Sequence, residues 1–366
     1  MTLLIIVIVV ALAFEYINGF HDTANSIATV VSTKVLTPRQ AIVMAASFNL
    51  IGALWFTAVA KTISAGLINT KVISMTSEII ICALLGAIIW NLITWWFGLP
   101  SSSSHALIGG LCGAALAASR DWNSIIWSQP DAQHWWLGKG LLWKVVVPML
   151  VSPALGLLLG FLFMALLYFI FHKSRPLFIN RVFGRAQIAS AAAMGFMHGT
   201  NDAQKTMGII ALSLMGATQA GQLDNLPQWL SFLHTPHPAP GQQVEIAVWI
   251  KVACAMTMAA GTAAGGWRIT KTLGHKMVKL HPINGFAAET SSASVILGAT
   301  VLGIPVSTTH NISASIMGVG AARRFNAIKW SVVEQMVWAW VLTIPVSAGL
   351  SYVAVKLLHS FFVKGG

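Results

Sequence analysis

Two nine-residue stretches decide the fold: Asn18-Gly19-Phe20-His21-Asp22-Thr23-Ala24-Asn25-Ser26 and His198-Gly199-Thr200-Asn201-Asp202-Ala203-Gln204-Lys205-Thr206. Gly and Asp coincide in the two copies. Each is followed by a second motif, Gly98-Leu99-Pro100-Ser101-Ser102-Ser103-Ser104-His105 in the first case and Gly303-Ile304-Pro305-Val306-Ser307-Thr308-Thr309-His310 in the second. Here Gly, Pro, a hydroxyl triplet and His coincide. Either motif alone arises easily by chance, but both pairs in the same order mark an internal duplication.

The motifs sit in strongly apolar sequence. Of 366 residues, 56% are hydrophobic and 9% charged, against roughly 45–50% and about 25% in soluble domains. A bilayer is the solvent that suits this composition. Apolar runs near residues 2–32, 40–60, 76–98, 100–119, 141–171, 186–218, 244–267, 283–302, 305–321 and 330–361 give about ten segments, measured against the roughly 20 residues a span requires. The run from Thr2 to Ala13 lacks a basic leader and a cleavage site, so it is expected to stay in the mature protein. Cys82, Cys112 and Cys254 lie in apolar surroundings without paired spacing, and imply neither disulfides nor a metal site.

A net charge of +12 could indicate nucleic acid, but the basic residues occupy short loops between apolar runs, where topology signals lie. With the N-terminus outside, Lys34, Arg39, Lys173, Arg175, Arg181, Arg185, Arg268, Lys271, Lys276, Lys279, Arg323, Arg324 and Lys329 fall on the cytoplasmic side. Lys61, Lys71, Arg120, Lys139 and Lys364 fall outside, with Lys144, Lys251 and Lys356 just within the outer ends of spans. Trp122, Trp127, Trp135, Trp136 and Trp143 then form an interfacial belt around an external loop. The loop 219–243 has no Lys or Arg, as an external loop can.

Five segments precede residue 186, so the second half enters the membrane from the opposite side. The expected fold is therefore an all-α integral membrane protein of about ten segments in two inverted repeats, with broken helices and room for re-entrant hairpins. The repeats are 1–172 and 186–366, joined by a cytoplasmic linker at 173–185, and together make one transport domain. Such repeats place substrate near the midplane where broken helices meet. Segments 2–32 and 186–218 exceed one span, and Gly19 and Gly199 are the expected breaks.

Asp22 and Asp202 are the sharpest residues, because a carboxylate deep in a membrane costs about 2.5–3.5 kcal/mol on insertion scales and marks ion paths. Both read as coupling-cation groups, and either could also cap a half-helix. The hydroxyl triplets follow Pro100 and Pro305, where helices start; free N–H groups and hydroxyls there suit an oxyanion. The alternative is ordinary Ser/Thr packing between helices. Lys205 lies on the Asp202 face, and either neutralises it or contacts the anion beside Gln204; Asn25 takes its place in the first half. His105 and His310 read as hydrogen-bonding residues rather than proton shuttles. Glu78 and Glu289 stand at similar places in the halves as cation ligands or internally paired acids, and Glu15, without a counterpart, reads either way.

On Gly19 to Ser26, Gly199 to Thr206 and the two Pro-hydroxyl-His runs, the chain resembles the inorganic phosphate transporter family, the Pit-type phosphate permeases, over nearly its full length. Asn18 to Val30 and Ile89 to Gly109 are most similar to the bacterial low-affinity branch. The resemblance implies a cell-membrane symporter of inorganic phosphate, driven by a cation gradient and assembled as a homodimer, with no cofactor. That branch is associated with protons and metal-phosphate, and other branches with sodium, so H+ and Na+ both remain open. By position, Asp22 and Asp202 bind or relay the cation, with Asn18, Asn201, Glu78 and Glu289 as further candidates. Asn25, Gln204 and Lys205 lie near phosphate, whose oxygens Ser102, Ser103, Ser104, Ser307, Thr308 and Thr309 hold. Competing readings are a carrier for sulfate or another oxyanion, a passive anion channel, and an intramembrane hydrolase. The last fails on geometry, since adjacent Ser104 and His105 on a helix point apart.

Overall fold

Long apolar runs with few breakers dictate helix, and the computed structural model is helical throughout its ordered core. It describes residues 2–60, 67–69, 72–131, 138–224, 227–235 and 245–363; Lys61, Lys71, Trp135, Trp136 and Lys364 lie outside these, as does part of the loop 219–243. In the first half α1 (Thr2–Asp22) runs into α2 (Ala24–Ser32), followed by α3 (Pro38–Ala53), α4 (Ser77–Phe97), α5 (Ser103–Ser119) and α6 (Val147–Phe171). The second half holds α7 (Pro176–Gln219), α8 (Val248–Ala264), α9 (Trp267–Lys271), α10 (Pro282–Val301), α11 (Thr308–Arg323) and α12 (Trp330–Val363). The expected linker 173–185 is mostly the start of α7, which Pro176 opens at its first turn.

The helices do not break at Gly-x-x-Asp. Thr23 between α1 and α2 keeps helical angles, φ −48° and ψ −38°, and α7 passes through Gly199 and Asp202 in 44 unbroken residues. These glycines instead allow close crossing. A Cβ on Gly19 would lie 2.4 Å from the Met258 carbonyl oxygen of α8, and one on Gly199 would lie 2.3 Å from that of Asn49 in α3. The contacts are reciprocal: Gly261 of α8 presses on the Tyr16 oxygen of α1, and Gly52 of α3 on the Phe196 oxygen of α7, each at 2.1 Å from the missing Cβ. Small residues at such crossings let backbones pack where lipid offers no hydrophobic drive. The real interruptions are elsewhere. α8 and α9 bend by 57° at Gly265 and Gly266, and α4–α5 and α10–α11 form hairpins turned by Gly98 and Gly303, both at φ +66°.

The two sequence halves are interleaved. α1 packs on α8, α7 on α3, α5 on α12 and α11 on α6. Among the described residues four helical stretches are long and apolar enough to cross a membrane, Thr2–Ser32, Ser77–Phe97, Leu142–Phe171 and Trp330–Ser360, and the bent α8–α9 pair would make a fifth. Each of the expected apolar runs falls on helix, but α5 and α11 are sheathed in protein, with Thr308 through Gly320 buried without exception, so they face helices rather than lipid. α6 and α12 present the apolar outer surface, with Leu150, Phe169, Trp338 and Val341 each more than half exposed. This is a multi-pass membrane protein.

Candidate functional site

The hairpin tips meet between the two aspartates. Ser102 and Ser307 take the N-cap positions of α5 and α11, accepting from the backbone N–H of His105 (3.2 Å) and His310 (3.1 Å), which satisfies helix ends that would otherwise lack partners. One hydroxyl of each triplet thus accepts a capping bond while its O–H remains able to donate, and the other two project from the first turn of their helix. Ser103 donates to Asp22 Oδ2 at 3.4 Å and Thr309 to Asp22 Oδ1 at 3.1 Å. Thr308 donates to Asp202 Oδ2 at 2.7 Å. The amide of Asn25 donates to both Thr308 (3.2 Å) and Thr309 (2.9 Å). The α10–α11 hairpin (hairpin 2, with α4–α5 as hairpin 1) therefore touches both carboxylates at once.

Lys205 closes the arrangement. Its ammonium donates to Asp202 Oδ1, to Ser104 Oγ of hairpin 1 and, at 3.2 Å, to the Val306 carbonyl of hairpin 2. The expected pairing with Asp202 is present, and the same ammonium lies against hydroxyl and carbonyl oxygens of both hairpins. Asp22, His198 and Asp202 offer ligand atoms that all lie within 4.8 Å of one another, with His198 Nε2 3.0 Å from Asp202 Oδ2. All these residues are buried. Two aspartates, two histidines and one lysine thus share the centre.

Some expected residues stand apart. Gln204 turns its carbonyl oxygen to the backbone N–H groups of Val59 (2.7 Å) and Ala60 (3.3 Å) and its amide to the Thr200 carbonyl, so it anchors backbone. Asn201 donates to Thr300 at the end of α10 (3.1 Å), and Asn18 is buried on α1 without a bond to Asp22. Glu78 lies in the first turn of α4, about 30 Å along that arm from the hairpin tip at the helical rise of roughly 1.5 Å per residue; it is not brought to the site. Glu289 forms a separate cluster on α10, accepting from Thr29 of α2, Ser190 of α7 and, at 3.5 Å, Gln187. The similar sequence places of Glu78 and Glu289 do not become similar surroundings.

Four site residues escaped the sequence reading. His21 Nδ1 lies 2.7 Å from Asp22 Oδ1 and its Nε2 3.1 Å from Thr94 Oγ1, and Ser101 donates to Thr94 at 2.8 Å. His198, the fourth, bridges Asp202 and Asn49, its Nδ1 3.1 Å from Asn49 Oδ1. A signal existed: each Gly-x-x-Asp copy carries one His and one Asn, in exchanged positions, Asn18 and His21 against His198 and Asn201. His105 and His310 pack together, ring centroids 4.9 Å apart, and His310 stacks on Trp340 at 4.3 Å. Ser104 is held by Lys205 and bonds to neither histidine, which removes the hydrolase reading.

Buried charge and hydroxyl groups thus gather where two hairpins meet inside a multi-pass membrane protein, a transporter by its relatives. The chain belongs to the phosphate transporter family, whose model matches residues 18–180 and 172–351. It is 43% identical over 360 residues, 98% of both chains, to a protein of Bacillus subtilis (strain 168) named "Probable low-affinity inorganic phosphate transporter". A protein of the same name from Rhizobium meliloti (strain 1021) is 43% identical over 350 residues, covering 95% of this chain and 94% of that one. A solved structure titled "The sodium-dependent phosphate transporter" shares the fold, with TM-score 0.79 at 24% identity over 98% of this chain and 99% of its own.

Proposed function

We propose that the chain carries inorganic phosphate with a coupling cation across the cell membrane by alternating access. The observation that carries this reading is Lys205, bonded to Asp202 and to both hairpin tips. An anion entering there meets an ammonium, two or more hydroxyls and the start of two helices, a favourable oxyanion environment. Two aspartates against one lysine disfavour entry of phosphate alone, so the anion enters with a cation. Asp22, His198 and Asp202 supply the cation's place, and Ser103, Ser104, Thr308, Thr309, Asn25 and Lys205 face the phosphate.

The reciprocal glycine crossings support an inverted repeat, and the clustering of basic loops supports an N-terminus outside. Assembly as a homodimer follows the family resemblance. The moving bodies are not the sequence halves, which are interleaved, but the hairpins α4–α5 and α10–α11 against the crossed helices α1, α3, α7 and α8.

Uptake of labelled phosphate into proteoliposomes, with sodium and pH gradients imposed separately and with or without divalent metal, tests this. Accumulation above the external concentration, only with a cation gradient, is expected; flux that merely equilibrates would establish a channel. Arsenate competes and sulfate does not, because phosphate near neutral pH retains a proton that an aspartate can accept, whereas sulfate meets repulsion. Equal competition by sulfate would make the chain a general oxyanion carrier.

A further inference from the structure

Glu15 and Glu289 are the two buried acids that the centre described above does not use, and Glu15 is the one packed against α7 at Thr206. It lies on α1, two helical turns before Asp22, and none of its surface is exposed. Its Oε2 accepts from the hydroxyl of Thr206, one turn beyond Asp202 on α7, while Oε1 is buried with no partner. Among the described residues no cation lies within salt-bridge distance of it. An unpaired carboxylate in such a place is costly, and retaining one calls for a positive charge that comes and goes.

The charged and titratable groups around it can be named element by element. α7 contributes Asp202 and Lys205, whose fields reach it, and α8 contributes Cys254. α4 carries Glu78 and Cys82, α5 carries His105 and Cys112, α1 itself ends in His21 and Asp22, and α2 has none. Its hydrogen-bond donors are Thr206 and Asn18, and the thiol of Cys254 beside it does not suit a hard metal cation. A proton needs only the carboxylate. The duplication makes the point sharper, since Gly195 occupies the place in the second motif that Glu15 occupies in the first.

We propose that Glu15 carries the coupling proton, joining the phosphate site through Thr206 and α7. An external proton forms the O–H bond on Glu15, cancelling its charge before phosphate enters beside Asp202 and Lys205. When the site opens to the cytoplasm that bond breaks, the proton leaves to water with phosphate, and the re-formed carboxylate faces Lys205. This rests on the phosphate-carrier reading and adds a proton acceptor separate from the cation place at Asp22, His198 and Asp202.

The test uses the purified full chain in proteoliposomes with the membrane potential clamped at zero. Phosphate exchange at equal pH is measured beside accumulation driven by an inward pH gradient. For one proton per phosphate, one pH unit supports about tenfold accumulation, since 1.4 kcal/mol is a factor of ten. Glu15→Gln is expected to keep exchange and lose the accumulation, and Glu15→Asp to restore part of it. Accumulation by Glu15→Gln equal to the parent, or a parent driven by sodium and indifferent to pH, would overturn the proposal while leaving phosphate transport standing. Loss of exchange as well as accumulation in a folded Glu15→Gln would also overturn it. Should Glu15→Gln fail to fold, Thr206→Val decides: a shifted pH for half-maximal uptake supports the proposal and an unchanged one refutes it. Absence of phosphate exchange by the parent would instead sink the carrier reading itself.

Discussion

Replacing Lys205 by methionine removes the ammonium while keeping most of the side-chain volume, so packing losses are small and the electrostatic consequence is isolated. The bond to Asp202 is lost, and with it the donors to Ser104 and the Val306 carbonyl. Breaking a buried ion pair by removing one partner costs about 3–5 kcal/mol. Asp202 keeps the Thr308 hydroxyl at 2.7 Å and His198 at 3.0 Å, which places the expected loss near the lower end, about 3 kcal/mol. The double variant Asp202→Asn with Lys205→Met leaves no orphan charge, so the two losses should fail to add by about 2 kcal/mol. SDS-driven unfolding in mixed micelles measures each corner of the cycle, with the fluorescence of Trp340, stacked on His310 at the hairpin tip, among its reporters. Phosphate affinity should fall in the single variant and stay low in the double, by roughly 10–100-fold for a lost charge-assisted bond of about 1.5–3 kcal/mol. Additive stabilities, or unchanged phosphate binding, would refute Lys205 as the pivot of the site.

Three further outcomes are expected. Asp22→Asn and Asp202→Asn should abolish gradient-driven uptake and leave the protein folded by size exclusion; normal transport by either would remove that carboxylate from the coupling role. Gly19→Ala and Gly199→Ala should each destabilise by about 1–3 kcal/mol through overpacking, whereas Gly216→Ala, with nothing within 4 Å of its Cβ, should stabilise α7 by roughly 0.5–1 kcal/mol; thermal unfolding distinguishes close crossing from helix breaking. Ser102→Ala and Ser307→Ala should cost about 1 kcal/mol each as lost caps with phosphate affinity little changed, while Thr308→Val should weaken binding, as read by equilibrium dialysis.

Much of this centre was legible in the sequence because its chemistry is duplicated. Asp22, Asp202 and the hydroxyl triplets could be chosen from spacing alone, and the structure brings them together. The Gly-x-x-Asp reading misled because glycine has two uses, freedom of φ and absence of Cβ, and sequence does not tell which one a position exploits. Gly98 and Gly303 use the first, Gly19 and Gly199 the second. Ser102 and Ser307, read as ligands, also cap their helices, as a hydroxyl just ahead of a helix ordinarily does. Gln204 could not be placed, because its partners, Val59 and Ala60, belong to a distant part of the chain. Thr94 and Ser101 bear on Asp22 only through His21, and such indirect partners have no spacing rule.

The reciprocal glycine crossings also bear on how the chain is made. Thr23, at the end of α1, donates to the carbonyl of Thr262, 239 residues later, so the groove-bearing face of α1 emerges from synthesis long before α8 exists to fill it. During that interval α1 and α3 stand in the bilayer with close-packing surfaces unmet, and low local connectivity of this kind slows assembly. A chain cut between α6 and α7 should therefore recover function only when both pieces are supplied together, each providing the helix that the other lacks.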